Sequence, residues 1–265
     1  MSSIRVVLLF GLLIGIFLAI GFYFAGIFGA ITGLVIATFL NIIMYWFSDK
    51  WVLAMYKAKP CDDKEIKSII KGLSDKAKIP VPALYIIDTD MPNAFATGRS
   101  PKRSAVAVTR GLVEKLNKNE LKGVLAHEIS HIKNRDTLVS VVAATLAGAI
   151  SWIGYVFMFD DDRNIVGSIL IFILAPIAAM LIQMAISRSR EFGADKTGAD
   201  LSNPFDLASA LEKISEAPKI KASNPSAAHL FIVNPFSGGA VLELFSTHPR
   251  IEERIRRLNN MKVKF

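Results

Sequence analysis

The first part of the chain is a long uninterrupted apolar run. No charged residue occurs between Val6 and Ser48. A hydrocarbon core about 30 Å thick needs roughly 20 apolar residues per helix, so the run predicts two membrane spans, Val6–Phe24 and Ile27–Phe47, joined by a short turn at Ala25–Gly26. Because the run is longer than the apolar part of a signal peptide, we interpret it as a retained anchor.

A second membrane hairpin is predicted in the middle of the chain. The apolar runs Leu138–Phe159 and Ile165–Ile186 are separated by a short polar turn with three Asp residues. Two buried core helices are the alternative, but each run is long enough to cross a bilayer. Neither hairpin contains Asp, Glu, Lys, Arg or His within its spans, whereas transporters and ion pumps usually place such groups there, so we expect these helices to be anchors.

The other segments alternate between strand-like and helical patterns. Short strands are predicted at Ala83–Asp88, Asn93–Thr97 and Ser104–Thr109. Apolar spacing and capping signals predict helices over Asp62–Lys78, after Asn117, from Asn203 to about Glu216, and from His248 onwards. We therefore predict an α+β fold that is mainly helical, with a small sheet. Residues 1–48 form the first membrane hairpin, and residues 49–265 form one further domain that the second hairpin interrupts at about 138–186.

Composition and charge agree with an integral membrane protein. Hydrophobic residues make up 52% of the chain, and the mean hydropathy is +0.41. Lys and Arg flank one end of every predicted span, which predicts that both termini and residues 48–137 face the cytoplasm of a multi-pass protein in the cell (inner) membrane. The net charge of +8 then favours contact with anionic lipid, and no nucleic-acid motif accompanies it. Cys61 is the single cysteine and cannot form an internal disulfide.

Residues 127–131 read His-Glu-Ile-Ser-His and carry the chemistry. On a helix, His127 and His131 lie on one face one turn apart and can bind a single Zn²⁺, with Glu128 placed as general base. A chance match is the alternative. The motif nevertheless lies in a well-signalled helix, since Asn117 and Glu120 form a capping-box pattern ahead of it.

A catalytic zinc site normally has three protein ligands, so a third must be sought. Asn134 and Thr137 stand where the metzincin pattern requires Gly and His, which excludes that branch. A glutamate on another helix is the remaining common choice. Glu191 could bind the metal while Asp195, one turn later, orients a histidine ligand, although such Glu/Asp pairs usually lie on solvated helix faces.

The motifs together resemble a known family. His127–His131, a later Glu-Phe-Gly-Ala-Asp at 191–195, the segment 92–98 and Ser-Thr-His-Pro-Arg at 246–250 occur in the order found in the HtpX family of membrane-bound heat-shock zinc metalloproteases, gluzincins related to CAAX prenyl proteases. The resemblance implies one Zn²⁺ per chain held by His127, His131 and Glu191, with Glu128 as base. It also implies a role in quality control of membrane proteins, with a cytoplasmic active site acting on misfolded or unfolded polypeptides.

The resemblance further suggests that Asn93–Gly98 borders the substrate cleft and that His248 and Arg250 lie near the metal. Metalloproteases commonly bind peptide as an added strand, so Asn93, Ala94, Phe95 and Ala96 are candidate contacts, with an ordinary strand as the alternative. Arg250 is a further candidate for substrate binding. His248 is a candidate oxyanion donor or else a histidine of the helix start. His229, between apolar neighbours, is interpreted as structural.

Two other classes of function remain open at this point. A catalytically silent membrane scaffold or receptor would be favoured by loss of a motif residue, and a transporter by intramembrane charges; neither feature occurs.

Overall fold

A computed structural model describes residues 2–136, 139, 187–216 and 249–261. The second predicted hairpin, apart from Val139, lies outside the described residues, as do His229 and His248. Contacts divide the chain into two compact units. Residues 1–48 belong to the first, and the described residues from Asp49 onward, except Val139, belong to the second.

The N-terminal segment is a helical hairpin. Helix α1 (Ser2–Met55) is interrupted at Ala25 and Gly26, whose backbone angles are not helical. A Cβ on Gly21 would lie 2.0 Å from the carbonyl oxygen of Gly29, and one on Gly33 would lie 2.2 Å from that of Phe17. In a straight helix these pairs would be more than about 10 Å apart, so the two halves run antiparallel and the predicted turn is confirmed.

Within the described residues, one segment is long and apolar enough to cross a membrane, Ile14–Leu40, and it contains this turn. Large apolar side chains on it are exposed, for example Phe28 at 79% and Phe39 at 62%. An apolar surface of this kind is expected to contact lipid rather than water.

The second unit contains a four-stranded sheet. Its strands are β1 (Lys59–Pro60), β2 (Ala83–Ile87), β3 (Ala94–Ser100) and β4 (Arg103–Thr109), in the order β1-β2-β4-β3. Strand β4 is parallel to β2 and antiparallel to β3, and within the described residues β3 lies at the edge of the sheet. The three predicted strands are confirmed. The two-residue β1, which includes a proline, gave no pattern in the sequence.

Local capping signals set most helix starts in this unit. The helices are α2 (Lys64–Ala77), α3 (Arg110–Lys115), α4 (Lys118–Asn134), α5 (187–201 in the described chain), α6 (Pro204–Ser215) and α7 (Ile251–Asn259). Asp63, Asn117 and Asn203 cap α2, α4 and α6 through their side chains. Helix α4 ends at Arg135, whose backbone is left-handed (φ 59°).

The sheet separates two apolar clusters. On one face, Val106 and Val108 of β4 join the core formed with α2, α4 and α6, which includes the fully buried Leu125 and Ile129 of α4. On the other face, Phe95 packs with residues at the C-terminal end of α1, and its ring centroid lies 5.2 Å from that of Tyr56. Helix α4, which carries the histidine motif, is therefore held in the core of the unit.

Candidate metal centre

The start of α4 is fixed by a capping box. Asn117 accepts hydrogen bonds from the backbone N–H groups of Asn119 and Glu120, and the Glu120 carboxylate accepts one from the Asn117 N–H. Glu120 also accepts hydrogen bonds from Ser209 (2.7 Å) and Lys213 (2.9 Å) of α6. Helix α4 is thus anchored to α6 two turns before the histidine motif.

His127 and His131 converge as their spacing predicts. Their Nε2 atoms lie 3.1 Å apart. His127 is 1% exposed, whereas the side chain of His131 is 15% exposed. The pair therefore presents two ring nitrogens to one point, with His131 on the more accessible side.

Glu191 of α5 completes a triangle with the two histidines. Its carboxylate oxygens lie 3.6 Å from His127 Nε2 and 3.5 Å from His131 Nε2. Tetrahedral Zn²⁺ with bonds of 2.0–2.1 Å to N and O separates neighbouring ligand atoms by about 3.3–3.4 Å. The observed separations of 3.1 to 3.6 Å fit this spacing, so His127, His131 and Glu191 could hold a metal ion of this size.

Each histidine also has a carboxylate at its other ring nitrogen. Asp195 Oδ1 lies 3.0 Å from His127 Nδ1, an ion-pair contact whose hydrogen-bond angle is poor. Asp136 Oδ2 lies 2.9 Å from His131 Nδ1. Carboxylates in this position fix the tautomer and ring orientation of metal-binding histidines. Asp195 was a sequence candidate, whereas Asp136 was missed.

Arg254 of α7 was also missed. Its Nε and Nη2 donate to the two oxygens of Asp195 at 2.9 and 2.7 Å. The only sequence signal near it was Arg250, one turn earlier, whose side chain is exposed at the start of α7. Within the described residues, Arg254 reaches two of the three ligand residues, Glu191 and His127.

The charges of this cluster shift its ionisation strongly. Burial disfavours a charged His127, but Asp195 and Glu191 outweigh burial and raise the pKa of His127 to about 10. Burial likewise disfavours a charged Asp195, but Arg254 and His127 lower its pKa to about 2. The two carboxylates thus favour a protonated His127, so a metal at His127 competes with a proton.

The remaining candidates lie in different surroundings. Glu128 is 3% exposed and follows His127 on α4. Asn93, Ala94, Phe95 and Ala96 are all less than 9% exposed, and the Phe95 side chain is committed to the core beside Tyr56. Thr109 holds Asn93 in place, since its hydroxyl donates to the Asn93 carbonyl and accepts from the Asn93 N–H. His248 lies outside the described residues.

Comparisons with known proteins agree with this geometry. The profile of peptidase family M48 matches residues 60–262. A curated relative named "Protease HtpX homolog" from Pyrococcus furiosus is 50% identical over 278 residues, which cover 98% of this chain and 96% of that protein. A relative of the same name from a Sulfurihydrogenibium species is 49% identical over 287 residues, covering 99% and 97%.

A solved structure is similar in fold. The crystal structure of S. mikatae Ste24p matches with a TM-score of 0.59 at 20% identity. The match covers 95% of this chain, and the chain spans 62% of the length of that protein. At this identity the likeness concerns the fold alone.

Proposed function

This chain belongs to peptidase family M48 and is a membrane-bound metalloprotease, and from that premise we propose that it is a zinc endopeptidase acting on misfolded or damaged membrane proteins. The triangle of His127, His131 and Glu191 is the observation that carries the proposal. Its two nitrogen ligands and one carboxylate are the donor set of a gluzincin catalytic site.

We assign the metal to zinc because three neutral or anionic N and O donors at tetrahedral spacing suit Zn²⁺ and leave a fourth position open. When bound, Zn²⁺ would supply Lewis acidity, lowering the pKa of water and polarising the peptide carbonyl. Two carboxylates, Asp195 and Asp136, would keep the ligand nitrogens of His127 and His131 unprotonated. Each carboxylate faces the Nδ1 atom of one ring and favours the tautomer with the proton on Nδ1, which leaves Nε2 for the metal.

Glu128 would handle the protons. As general base it would take a proton from the attacking water, and as general acid it would return this proton to the leaving amine. Its place beside His127 on α4 supports this role. His248 would donate a hydrogen bond to the oxyanion that forms on the scissile carbonyl.

The substrate would bind along the outer edge of β3. In the antiparallel pairing of β3 with β4, alternate residues turn their backbone groups toward the partner strand. Since Asn93 bonds to Thr109, the backbone groups of Ala94 and Ala96 turn outward. The backbone of Ala94 would offer main-chain hydrogen bonds to an extended peptide, and Ala96 would lie along the same edge. The Phe95 side chain would contribute only by holding the strand in place.

The location of the protein follows the charge pattern. We propose a multi-pass protein of the cell membrane with both termini and the active site in the cytoplasm, because Lys and Arg flank the corresponding ends of the predicted spans. Polypeptides emerging from the bilayer would then reach the site directly. A silent scaffold is disfavoured, because every residue of the predicted reaction is present.

The decisive experiment compares loss of the base with loss of a ligand. Glu128→Gln should abolish casein hydrolysis in mild detergent while the purified protein still contains one Zn²⁺ per chain. His131→Ala should abolish hydrolysis and also lower zinc content, and 1,10-phenanthroline should inhibit the wild type. Hydrolysis by Glu128→Gln at the wild-type rate would refute the mechanism.

A further inference from the structure

Arg254 is the most deeply buried charged side chain near the candidate metal centre. It is 1% exposed and lies on α7, whose other buried residue, Leu258, belongs to the main core. A buried guanidinium is costly unless its donors are all engaged and its charge is compensated. The buried guanidinium of Arg254 therefore needs hydrogen-bond acceptors and negative charge within the protein, which a surface arginine does not.

Among the described residues, three members of the metal centre lie against the guanidinium. One edge of the group binds Asp195 through two hydrogen bonds. Nη1 lies 3.4 Å from Glu191 Oε2, and Nη2 lies 3.4 Å from His127 Nε2. Arg254 thus faces two ligand residues and the carboxylate behind one of them.

This geometry fixes the orientation of Asp195 toward His127. The two charge-assisted hydrogen bonds from Arg254 hold the Asp195 carboxylate with Oδ1 at 3.0 Å from His127 Nδ1. A carboxylate at that ring nitrogen sets the orientation of a histidine whose Nε2 binds a metal. Without the guanidinium, Asp195 would be a buried carboxylate free to rotate.

We propose that Arg254 is a positioning residue that sets the orientation of His127 and Glu191 for zinc, so that α7 is part of the metal centre. The inference rests on the proposed zinc site. Because Arg254 is 1% exposed, it acts through Asp195 and Glu191 and does not contact the substrate. Lysine could not replace it fully, since an ammonium lacks the planar two-donor edge that binds Asp195.

The test measures zinc affinity by competition with a chromophoric chelator in mild detergent. Arg254→Met should weaken zinc binding by roughly 10–100-fold, the usual effect of losing a residue behind a metal ligand. Arg257→Met is the matched control. Arg257 lies on the same helix and stacks on Phe192 at 3.7 Å, but it contacts neither the ligands nor Asp195. It should leave zinc affinity unchanged.

A double-mutant cycle separates positioning from general stability. Asp195→Asn and Arg254→Met should each weaken zinc binding. The double variant should bind zinc only slightly more weakly than either single variant, because both substitutions disrupt the same Arg254–Asp195 pair. Arg254→Lys should weaken zinc binding less than Arg254→Met does. If Arg254→Met does not fold, Arg254→Lys takes its place in the cycle.

Three results would overturn the inference: additive losses in the cycle, equal losses in the Arg254 and Arg257 variants, or wild-type zinc affinity in the Arg254 variants. The wild-type titration in the same series tests the zinc site itself. If the wild type bound no zinc, the proposed function would fail. A wild type that binds zinc together with unaffected Arg254 variants would refute only the role of Arg254.

Discussion

Gly198 of α5 lies directly against the backbone of His127 on α4. A Cβ on Gly198 would stand 3.0 Å from both the Cα and the backbone nitrogen of His127. Such contacts are tighter than proteins normally tolerate, and both atoms belong to a buried helix that cannot move aside easily. The missing side chain thus lets the helix of Glu191 approach the helix of the two histidines.

Replacing Gly198 by Ala should therefore weaken metal binding. The added methyl group would push α5 away from α4 by a few tenths of an ångström and move Glu191 relative to His127 Nε2, now 3.6 Å away. We expect a loss of roughly tenfold or more in zinc affinity, measured by chelator competition.

Gly193→Ala, on the same helix, is the matched control, since its Cβ would meet no atom of the described residues within 4 Å. Alanine favours a helix over glycine by about 1 kcal/mol, so both variants gain the same propensity. A wild-type zinc affinity in Gly198→Ala would mean that metal binding does not depend on the close approach of α5 to α4.

Asp136→Asn should weaken zinc binding through His131. The carboxylate lies 2.9 Å from His131 Nδ1, and asparagine keeps the shape of the side chain but loses the charge. The expected loss is about tenfold. Asp88→Asn, which removes an exposed partner of Arg110, should have no effect. Equal zinc affinity in the two variants would show that His131 needs no carboxylate.

Glu120→Gln should lower stability in a pH-dependent way. Burial raises the pKa of Glu120, but hydrogen bonds from Lys213, the Asn117 backbone and Ser209 outweigh burial and lower it below the usual 4.5. Glutamine can still close a capping box, so the substitution removes mainly the charge. At pH 7 we expect a loss of about 1–3 kcal/mol in the free energy of unfolding.

The sign of the pH dependence follows from the lowered pKa. The unfolded state binds a proton at Glu120 more readily than the folded state, so the carboxylate stabilises the fold above the unfolded pKa. This contribution is lost as pH falls through the lower folded pKa. The stability difference between wild type and Glu120→Gln should hold from pH 7 to about 5.5 and shrink below pH 4.5. Thermal unfolding of both proteins across this range measures it; a constant difference would contradict the assignment.

His248→Ala should lower kcat by roughly 10²-fold while zinc content stays near the wild-type value, as expected when one oxyanion donor is lost. His229→Ala is the control, because that histidine is predicted to be structural and should keep kcat near the wild-type value if the protein folds. An unchanged kcat in His248→Ala would leave His248 as a residue of the helix start.

Most of the local structure near the site was predictable, because its signals lie close together in sequence. Asn117 and Glu120 specify the start of α4 three residues apart, and the 127–131 spacing specifies the convergence of the histidines. Asn203 followed by Pro204 likewise specified the start of α6. Each of these features depends on helix periodicity or on a single capping residue, and tertiary packing left both unchanged.

The partners of the ligands were not predictable in this way. A motif helix that continued from His131 toward residue 138 would carry Asp136, five positions after His131, to a different face. The left-handed Arg135 ends the helix and lets Asp136 turn back. Arg254 lies 59 residues beyond Asp195 in sequence, so only the packing of α7 on the core brings them together.

The membrane topology can be tested with single cysteines, since Cys61 is the one native cysteine and Cys61→Ser leaves the chain without any. Ala25 lies at the tip of the N-terminal hairpin, where the chain reverses. If the Lys and Arg asymmetry sets orientation, Ala25→Cys and Asp161→Cys should react in intact cells with a maleimide that cannot cross membranes, and Lys59→Cys should react only after permeabilisation.

Protection of Asp161→Cys in intact cells would show that the 138–186 segment does not cross the bilayer, and the prediction of four spans would fail. Protection of Ala25→Cys as well, with Lys59→Cys labelled, would instead mean that the orientation is inverted and that the metal centre faces outward.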